Sequence, residues 1–343
     1  MTLAAVHGQD RAVDALRRAV AGGTLAHAYL FTGPSGVGKE LAALGLAQAL
    51  LCTEAPGEGC GRCSACRRVE RFGHPDVLWL MAESEQVRRR LAGRSDFDRL
   101  PSRDIRVEQV RALQERLALR GLESPRKLVL VLPAEAMNPQ AQNAFLKTLE
   151  EPPPDTTLLL VAGAAERLLP TIRSRCVRIP FGPLPRQLVV ARVQEERGLD
   201  GAAAEAVATL ADGSLERALS LDAGELEVQR ETIRAFEAVT ASDLRTALRF
   251  AERAGGSREE AERALQALTV WVRDVAVVRA GGDGLFHPEL GELARAAAAK
   301  LDDVLVHLRF RLLDEALVAI RQRNASPRLQ LERLALEMVG PGG

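Results

Sequence analysis

The stretch HAYLFTGPSGVGKELAALGLAQALL, residues 27–51, determines how the first half of the chain is expected to fold. It begins with an apolar run that predicts a buried strand and ends with Ala and Leu at helical spacing. The residues between them match a phosphate-binding loop in the strand-to-helix context that this motif requires. They are Gly33, Pro34, Ser35, Gly36, Val37, Gly38 and Lys39. We expect backbone N–H groups and the helix N-terminus to face phosphate oxygens, with Lys39 reaching the outer phosphates.

Two positions depart from the pattern of a P-loop ATPase. Glu40 stands where a Ser or Thr hydroxyl would bind Mg²⁺, so a ligand is lost and a negative charge is added beside a polyphosphate. After the strand KLVLVLP (127–133), Pro133 and Ala134 take the place of an acidic residue that holds Mg²⁺ and positions water. Glu135 comes one or two positions late. The loop therefore predicts a P-loop fold, whereas nucleotide binding stays open and hydrolysis is not expected.

The first half of the chain alternates strand-like and helix-like segments. After residue 51 the strands are KLVLVLP and TTLLLVAG, and the helices are VEQVRALQERLAL and AQNAFLKTLEE. Strands that are apolar throughout predict a parallel sheet covered on both faces. From about Pro183 the strand pattern ends, and residues 185–221 predict short helices around a turn at 212–214. The remainder, from 225, predicts a helical bundle with one connection at Gly281, Gly282 and Gly284.

Composition limits the class of protein. With 343 residues, 47% of them hydrophobic, the chain is long enough for two or three soluble globular domains. Lys and Arg number 46, as do Asp and Glu, and this balance argues against strong nucleic-acid binding by the chain alone. No apolar run approaches the roughly 20 residues that span a bilayer, and the N-terminus lacks a signal-peptide pattern. We therefore expect a cytoplasmic protein with no membrane partner.

Four of the five cysteines fall in one short segment, a distribution that suits a metal site better than a disulfide framework. They are Cys52, Cys60, Cys63 and Cys66. Four thiolates favour tetrahedral Zn²⁺, although the C-x2-C-x2-C run also resembles that of iron–sulfur proteins. Arg62, Arg67 and Arg68 would suit a zinc knuckle on nucleic acid, but a structural clip with solvated arginines is the simpler interpretation. His74 is a further candidate ligand, or an ordinary loop histidine.

Four segments in this order resemble the bacterial DNA polymerase III clamp-loader subunits of the AAA+ superfamily. They are HAYLFTGPSGVGKE, CGRCSAC, NAFLKTLEEPP (143–153) and LLPTIRSRC (168–176). The resemblance covers at least residues 1–180, and SPRLQLERLAL (326–336) is similar to the family's C-terminal collar. It implies an α/β P-loop AAA+ domain with a parallel sheet at 1–182, carrying a zinc-binding insert at 52–66. A small helical lid domain at 183–222 and an all-α collar domain for oligomerisation at 223–343 would follow.

The family contains a motor subunit, tau/gamma, that hydrolyses ATP, and a delta-prime subunit that generally does not. In the motor, a P-loop hydroxyl, a strand-end acidic pair, a polar sensor and a lid arginine converge on ATP. By alignment of the flanking motifs, this chain carries at those positions Glu40, Pro133 with Ala134, Ala162 and Glu216. Every one of these residues removes or inverts the chemistry that the motor requires.

What the chain retains is Ser174-Arg175-Cys176. In the family this motif supplies an arginine finger to ATP bound by the neighbouring subunit. The resemblance therefore implies a catalytic role in trans for Arg175, with Ser174 beside it. Without the surrounding LLPTIRSRC, the simpler interpretation is that Arg175 is an exposed loop arginine or part of an ion pair, and Cys176 a small buried residue at a strand start.

The leading hypothesis is a delta-prime-like subunit of the clamp loader, a component of the DNA polymerase III holoenzyme that is not catalytic alone. It would join tau/gamma and delta subunits in a heteropentameric ring that loads the sliding clamp onto primer–template DNA in replication. Its cofactors would be structural Zn²⁺, with ATP or ADP bound weakly or not at all. The alternatives are an active tau/gamma-type ATPase, in which Glu40 replaces the hydroxyl as Mg²⁺ ligand, and a zinc-dependent nucleic-acid-binding module.

Overall fold

The computed structural model describes residues 2–199, 201–221, 223–239, 244–323 and 325–339. The chain forms two compact units. One comprises Met1–Leu199 with Ala211–Ala218, and the other comprises Asp200–Leu210 with Leu219–Gly343. The predicted lid range, 183–222, is divided between these units, and its last residue lies outside the described residues, as does the end of the predicted collar. The three-domain division therefore stays a prediction.

The first unit is built on a five-stranded parallel sheet in the order β2-β3-β4-β1-β5. The strands are β1 (Ala28–Thr32), β2 (Val77–Leu80), β3 (Lys127–Val131), β4 (Thr156–Ala162) and β5 (Val177–Pro180). Every residue of β1, β3 and β4 is buried, as expected where helices cover both faces of a parallel sheet. The predicted α/β P-loop fold is confirmed.

Of the two strands at the edges of the sheet, β2 was not predicted, and β5 was predicted only as a strand start at Cys176. β2 has four residues, too few for a periodic pattern to distinguish a strand from a loop. In β5 only Ile179 is buried, and Val177, Arg178 and Pro180 are exposed, so the segment lacks the apolar character of a central strand. Its position at the edge of the sheet accounts for this exposure.

Eight α-helices precede residue 200, each within the described part of the chain. They are α1 (Asp10–Ala21), α2 (Lys39–Leu51), α3 (Ser64–Glu70), α4 (Glu83–Arg88), α5 (Val107–Ala118), α6 (Pro139–Glu150), α7 (Pro170–Ser174) and α8 (Arg186–Arg197). α2 is apolar nearly all round and is buried on nearly every side, as a central helix should be. α6 begins after Asn138, whose side chain accepts a hydrogen bond from the Ala141 N–H.

The three central strands end at one edge of the sheet, where the phosphate loop begins. In the register, Thr32 of β1 pairs with Ala162 of β4, and Val131 of β3 pairs with Leu160 of β4. The loop after β1, the Pro133 segment after β3 and the Gly163 loop after β4 therefore leave the sheet side by side. This carboxyl edge is where open α/β sheets bind ligands.

The remaining helices confirm the predicted all-α C-terminal part, since no described residue after β5 lies in a strand. They are α9 (Gly201–Ala211), α10 (Leu215–Ser220), α11 (Ala223–Glu237), α12 (Leu244–Ala254), α13 (Arg258–Arg279), α14 (Gly291–Lys300), α15 (Asp303–Arg323) and α16 (Pro327–Val339). Trp271 of α13 is fully buried in the core of the second unit. The predicted residues 281–284 lie in the connection between α13 and α14. Later in the same connection, the buried Asp274 carboxylate accepts hydrogen bonds from the Phe286 and His287 N–H groups at 2.8 and 2.9 Å.

Within the described ranges, none of the helices combines the length and the apolar character that crossing a membrane requires.

Candidate functional site

The phosphate loop leaves β1 at Gly33 and enters α2 at Lys39. The Lys39 ammonium is buried and donates hydrogen bonds to the loop's own carbonyl oxygens, to Gly33 O at 2.7 Å and to Pro34 O. Burial lowers the pKa of Lys39, while the carboxylates of Glu135 and Glu216 act in the opposite direction. The cation is thus compensated by groups of its own chain, in the place where a nucleotide's phosphates would otherwise approach it.

A segment far along the chain packs directly on this loop. The Leu215 N–H donates a hydrogen bond to Gly36 O at 3.0 Å. A Cβ atom at Gly36 would lie 2.2 Å from Ser214 Oγ and 2.7 Å from Glu216 Cβ, so a larger residue does not fit there. Glu216, predicted as the residue in place of the motor's lid arginine, therefore lies against the loop and adds a negative charge beside Lys39.

Replacing Gly36 by Ala tests how closely residues 214–216 pack on the loop. Gly36 has φ +72° and Gly23 has φ +64°, but no described atom lies within 4 Å of a Cβ atom at Gly23. We expect Gly23→Ala to lower the free energy of unfolding by about 1 kcal/mol through backbone strain. Gly36→Ala adds a clash and should cost about 2 to 4 kcal/mol. Urea unfolding measures both variants, and equal losses would contradict this packing.

Glu40 forms an ion pair that the sequence did not predict. Its carboxylate accepts two hydrogen bonds from the Arg89 guanidinium, one of them from Nη2 at 2.8 Å. Arg89 also binds the Glu85 carboxylate and lies 5.2 Å from the centre of the Phe72 ring. The pairing with Glu40, followed by that with Glu85, raises the pKa of Arg89. Position 40 thus carries an acidic group of the first turn of α2 whose charge is compensated within the protein.

At the ends of β3 and β4, the only acidic side chain among residues 133–135 and 162 is that of Glu135. Its Oε1 accepts hydrogen bonds from the Gly163 N–H at 2.7 Å and the Ala164 N–H at 3.1 Å, so the carboxylate binds the loop after β4. Its Oε2 is buried and has no hydrogen-bond partner among the described residues. Ala162 is buried at the end of β4 and offers no polar group.

The four predicted metal ligands lie together at the end of α2 and the start of α3. The sulfur atoms of Cys52, Cys60, Cys63 and Cys66 all lie within 4.8 Å of one another, and those of Cys52 and Cys63 are 3.8 Å apart. Four sulfurs bound to Zn²⁺ at about 2.3 Å in a tetrahedron would be separated by about 3.8 Å. The geometry and the donor set therefore fit a four-coordinate zinc ion.

Backbone N–H groups point at the sulfurs, as a thiolate site requires. Cys52 Sγ accepts from the Ala55 and Cys60 N–H groups at 3.1 and 3.3 Å. The Cys63 N–H donates to Cys60 Sγ at 3.2 Å, and the Cys66 N–H to Cys63 Sγ at 3.4 Å. Burial opposes ionisation of Cys63, but backbone hydrogen bonds lower its pKa to about 6. Burial raises the pKa of Cys66 to about 12.

The other residues predicted near the cysteines have separate roles. His74 is not part of the group that can hold a metal within the described part of the chain, and its Nδ1 accepts a hydrogen bond from the Asp76 N–H at 3.2 Å. Arg62 pairs with Glu54 at 3.2 Å, and Arg68 donates to the Glu123 carboxylate at 2.6 Å. These pairings favour the structural clip over a nucleic-acid contact.

The predicted arginine finger lies at the surface, immediately after α7. The Arg175 side chain is 36% exposed, and its Nη2 lies 2.6 Å from Glu150 Oε1. Its Nη1 donates to Thr171 O at 3.0 Å. Ser174 is exposed, and its hydroxyl donates to the same carbonyl at 3.1 Å. Cys176 is partly buried, and burial raises its pKa to about 12, so it is an inert thiol at the start of β5.

A family model described as DNA polymerase III, delta subunit, matches residues 8–185, just over half of the chain. The chain belongs to this family. The predicted resemblance to the clamp-loader group, and to its delta-prime members, is confirmed.

Named relatives agree with the family. The chain is 36% identical to the DNA polymerase III subunit delta' of Bacillus subtilis over 55% of its own length and 52% of the relative. It is 44% identical to the delta' subunit of Pseudomonas aeruginosa over 47% and 44%. It is 30% identical to the subunit tau of Bacillus subtilis over 63% and 36%. The chain thus spans about half the length of the delta' relatives it matches.

Two residues of the site were missed by the sequence analysis of this family member. Arg89 is one of three consecutive arginines in QVRRRL, and no motif distinguishes it from its neighbours. Glu150 lies in the segment NAFLKTLEEPP, for which the sequence predicted a helix but no role for this side chain. Only the folded chain brings Arg89 to Glu40 and Glu150 to Arg175.

Proposed function

We propose that this chain is a delta-prime-like subunit of the DNA polymerase III clamp loader that does not hydrolyse ATP itself. Arg175 would complete the ATP site of a neighbouring subunit. One observation carries the proposal. The groups of the phosphate loop are already bonded or covered by this chain, since Lys39 donates to Gly33 O and Pro34 O and residues 214–216 pack on Gly36. Arg175, in contrast, lies at the surface.

Hydrolysis in a P-loop protein needs a Mg²⁺ ligand, a group that positions water and cations that stabilise the transferred phosphoryl group. Here Glu40 is held by Arg89, and Pro133, Ala134 and Ala162 carry no group that could bind metal or orient water. The chain would therefore lack the groups needed to hydrolyse ATP at its own loop. A finger arginine in trans needs none of them, because it stabilises charge on ATP that another subunit binds.

Zn²⁺ would have a structural role in this protein. Four cysteine thiolates fill its tetrahedral coordination, and no position is left for water or substrate. The ion would link Cys52, which follows the last residue of α2, to Cys63 and Cys66 at the start of α3. In this way it would fix the insert of residues 52–66 against the helix that begins at the phosphate loop.

The partners follow from the family. The chain would join tau/gamma and delta subunits in a heteropentameric ring and reach the sliding clamp and primer–template DNA through that complex. The balance of 46 basic and 46 acidic residues supports DNA contact that is shared with other subunits rather than made alone. A cytoplasmic location is what this role requires.

The isolated chain tests the first half of the proposal. We expect no ATP turnover above background, no change with Lys39→Ala, and no gain with Glu40→Thr, because the missing groups at 133, 134 and 162 stay missing. An ATPase assay of the purified protein measures this, with the same chain in a reconstituted complex as the positive control. Turnover that disappears with Lys39→Ala would instead show an active motor.

One observation favours that second candidate, the tau/gamma-type ATPase. Glu135 has a buried oxygen without a hydrogen-bond partner among the described residues, and its carboxylate acts electrostatically on Lys39. In an active site this oxygen would face Mg²⁺ or water. Glu135→Gln should abolish any turnover if the motor is correct, and should change nothing if the chain is inactive.

A further inference from the structure

We infer that Glu150 is a positioning residue for Arg175, an inference that rests on the proposed finger role. The Arg175 guanidinium is held from two directions, by Glu150 Oε1 at 2.6 Å from Nη2 and by Thr171 O at 3.0 Å from Nη1. Glu150 is the last residue of α6, and Thr171 lies in α7, so two helices of the same unit set the guanidinium's place.

These contacts leave the guanidinium able to bind an anion. Arg has five N–H donors in a planar fork. The hydrogen bond from Nη1 to Thr171 O uses one of them, and Glu150 holds the guanidinium as an ion pair. The guanidinium therefore keeps N–H donors that can bind the oxygens of a phosphate group. Glu150 therefore orients Arg175 without consuming the donors that a neighbour's γ-phosphate would need.

The contact with Glu150 restricts the Arg175 side chain before it meets ATP. An exposed arginine samples many rotamers, and fixing it in one of them costs conformational entropy. When Glu150 already holds the guanidinium, less of that cost remains when the finger meets ATP, and the donors meet the phosphate in the right direction. The effect should appear in the turnover number, because the finger acts on charge that develops in the transition state.

The same contact contributes little to folding. The Arg175 and Glu150 side chains are 36% and 49% exposed, and ion pairs this exposed have small effects on stability. The buried residues of α6 are Ala141, Gln142, Phe145, Thr148 and Leu149, so Glu150 is not part of the core. A variant at position 150 should therefore fold and assemble normally.

The test is the ATPase activity of a complex reconstituted with tau/gamma and delta subunits, in the presence of sliding clamp and primed DNA. We expect Glu150→Ala to lower kcat about fivefold to thirtyfold, the range set by the rotamer freedom that an arginine regains, with KM for ATP unchanged. Glu150→Gln keeps an acceptor oxygen and should lose less. Glu151→Ala, which removes the same charge from the next exposed residue, should have no effect.

A double variant separates positioning from a general structural effect. If Glu150 acts only through Arg175, the Arg175→Ala protein should lose nothing more when Glu150→Ala is added. A further loss in the double variant, a faster Glu150→Ala complex, or an unchanged one beside an impaired Arg175→Ala complex would overturn the positioning role alone. Full activity of Arg175→Ala would remove the finger role itself and the inference with it.

Discussion

Replacing Arg175 by Ala is expected to lower the ATP turnover of a reconstituted clamp-loader complex by about 10³-fold or more, the lower end of what a finger in trans contributes. The guanidinium places several N–H donors on a phosphate whose negative charge spreads in the transition state. Alanine leaves that charge without its donor. Turnover is measured with sliding clamp and primed DNA present, and ATP binding by the neighbouring subunit should be nearly unchanged.

Two further variants make this measurement specific. Arg173→Ala removes an exposed arginine of α7, two residues before Arg175, and should retain full turnover. Arg175→Lys keeps the positive charge but loses the planar fork, so we expect it to restore only a small part of the activity. Normal turnover by Arg175→Ala would show that the surface position of Arg175 has no catalytic meaning.

Removal of the zinc site is expected to have the second largest effect. Metal analysis of the protein, purified without chelator, should find one zinc ion per chain. Serine at position 52, 60, 63 or 66 removes a thiolate ligand and should bring the zinc content close to zero. We expect the free energy of unfolding to fall by an amount on the order of 5 kcal/mol, a part of the roughly 10 to 16 kcal/mol that Zn²⁺ contributes in small zinc domains.

The fifth cysteine supplies the matched control. Cys176 lies outside the cluster, so Cys176→Ser should leave the zinc content and the stability of residues 52–66 unchanged. Thermal or urea unfolding, with and without a chelator, measures the loss for each variant. Iron in place of zinc, or a protein without metal that is as stable as the zinc form, would refute the assignment.

Local patterns predicted the centre of the fold well. The helix expected at residues 39–51 is α2 with the same limits, and the apolar runs beginning at residues 127 and 156 are β3 and β4. These elements are buried on nearly every side, so nearly every residue in them is apolar and contributes to the pattern that predicts them. Of β5 only the start at Cys176 was predicted, because an edge strand buries little of its length and its pattern is correspondingly weak.

In the site, the cysteine cluster could be predicted from the sequence, whereas the Glu40–Arg89 pair could not. Cys60, Cys63 and Cys66 are close in sequence, so chain connectivity by itself brings their sulfurs together, and spacing was enough to predict a metal site. Arg89 lies 49 residues from Glu40, and many exposed arginines in the chain would have suited that partner equally. Sequence reasoning therefore identified the departure at position 40 but not its compensation.

The sequence by itself determined that the phosphate loop stands between β1 and α2 and that four cysteines lie close together. It also determined which residues occupy the positions aligned with the motor's catalytic residues, namely Glu40, Pro133 with Ala134, Ala162 and Glu216. These are properties of residue type and short spacing, which the chain cannot change on folding. Only the tertiary structure decided that residues 214–216 close on Gly36, that Lys39 is satisfied by its own loop, and that Glu150 holds Arg175. Apart from the Lys39 bonds, which lie within the loop itself, these contacts join residues far apart in the chain. They exist because packing of the sheet and helices, rather than any local preference, brings those side chains within reach.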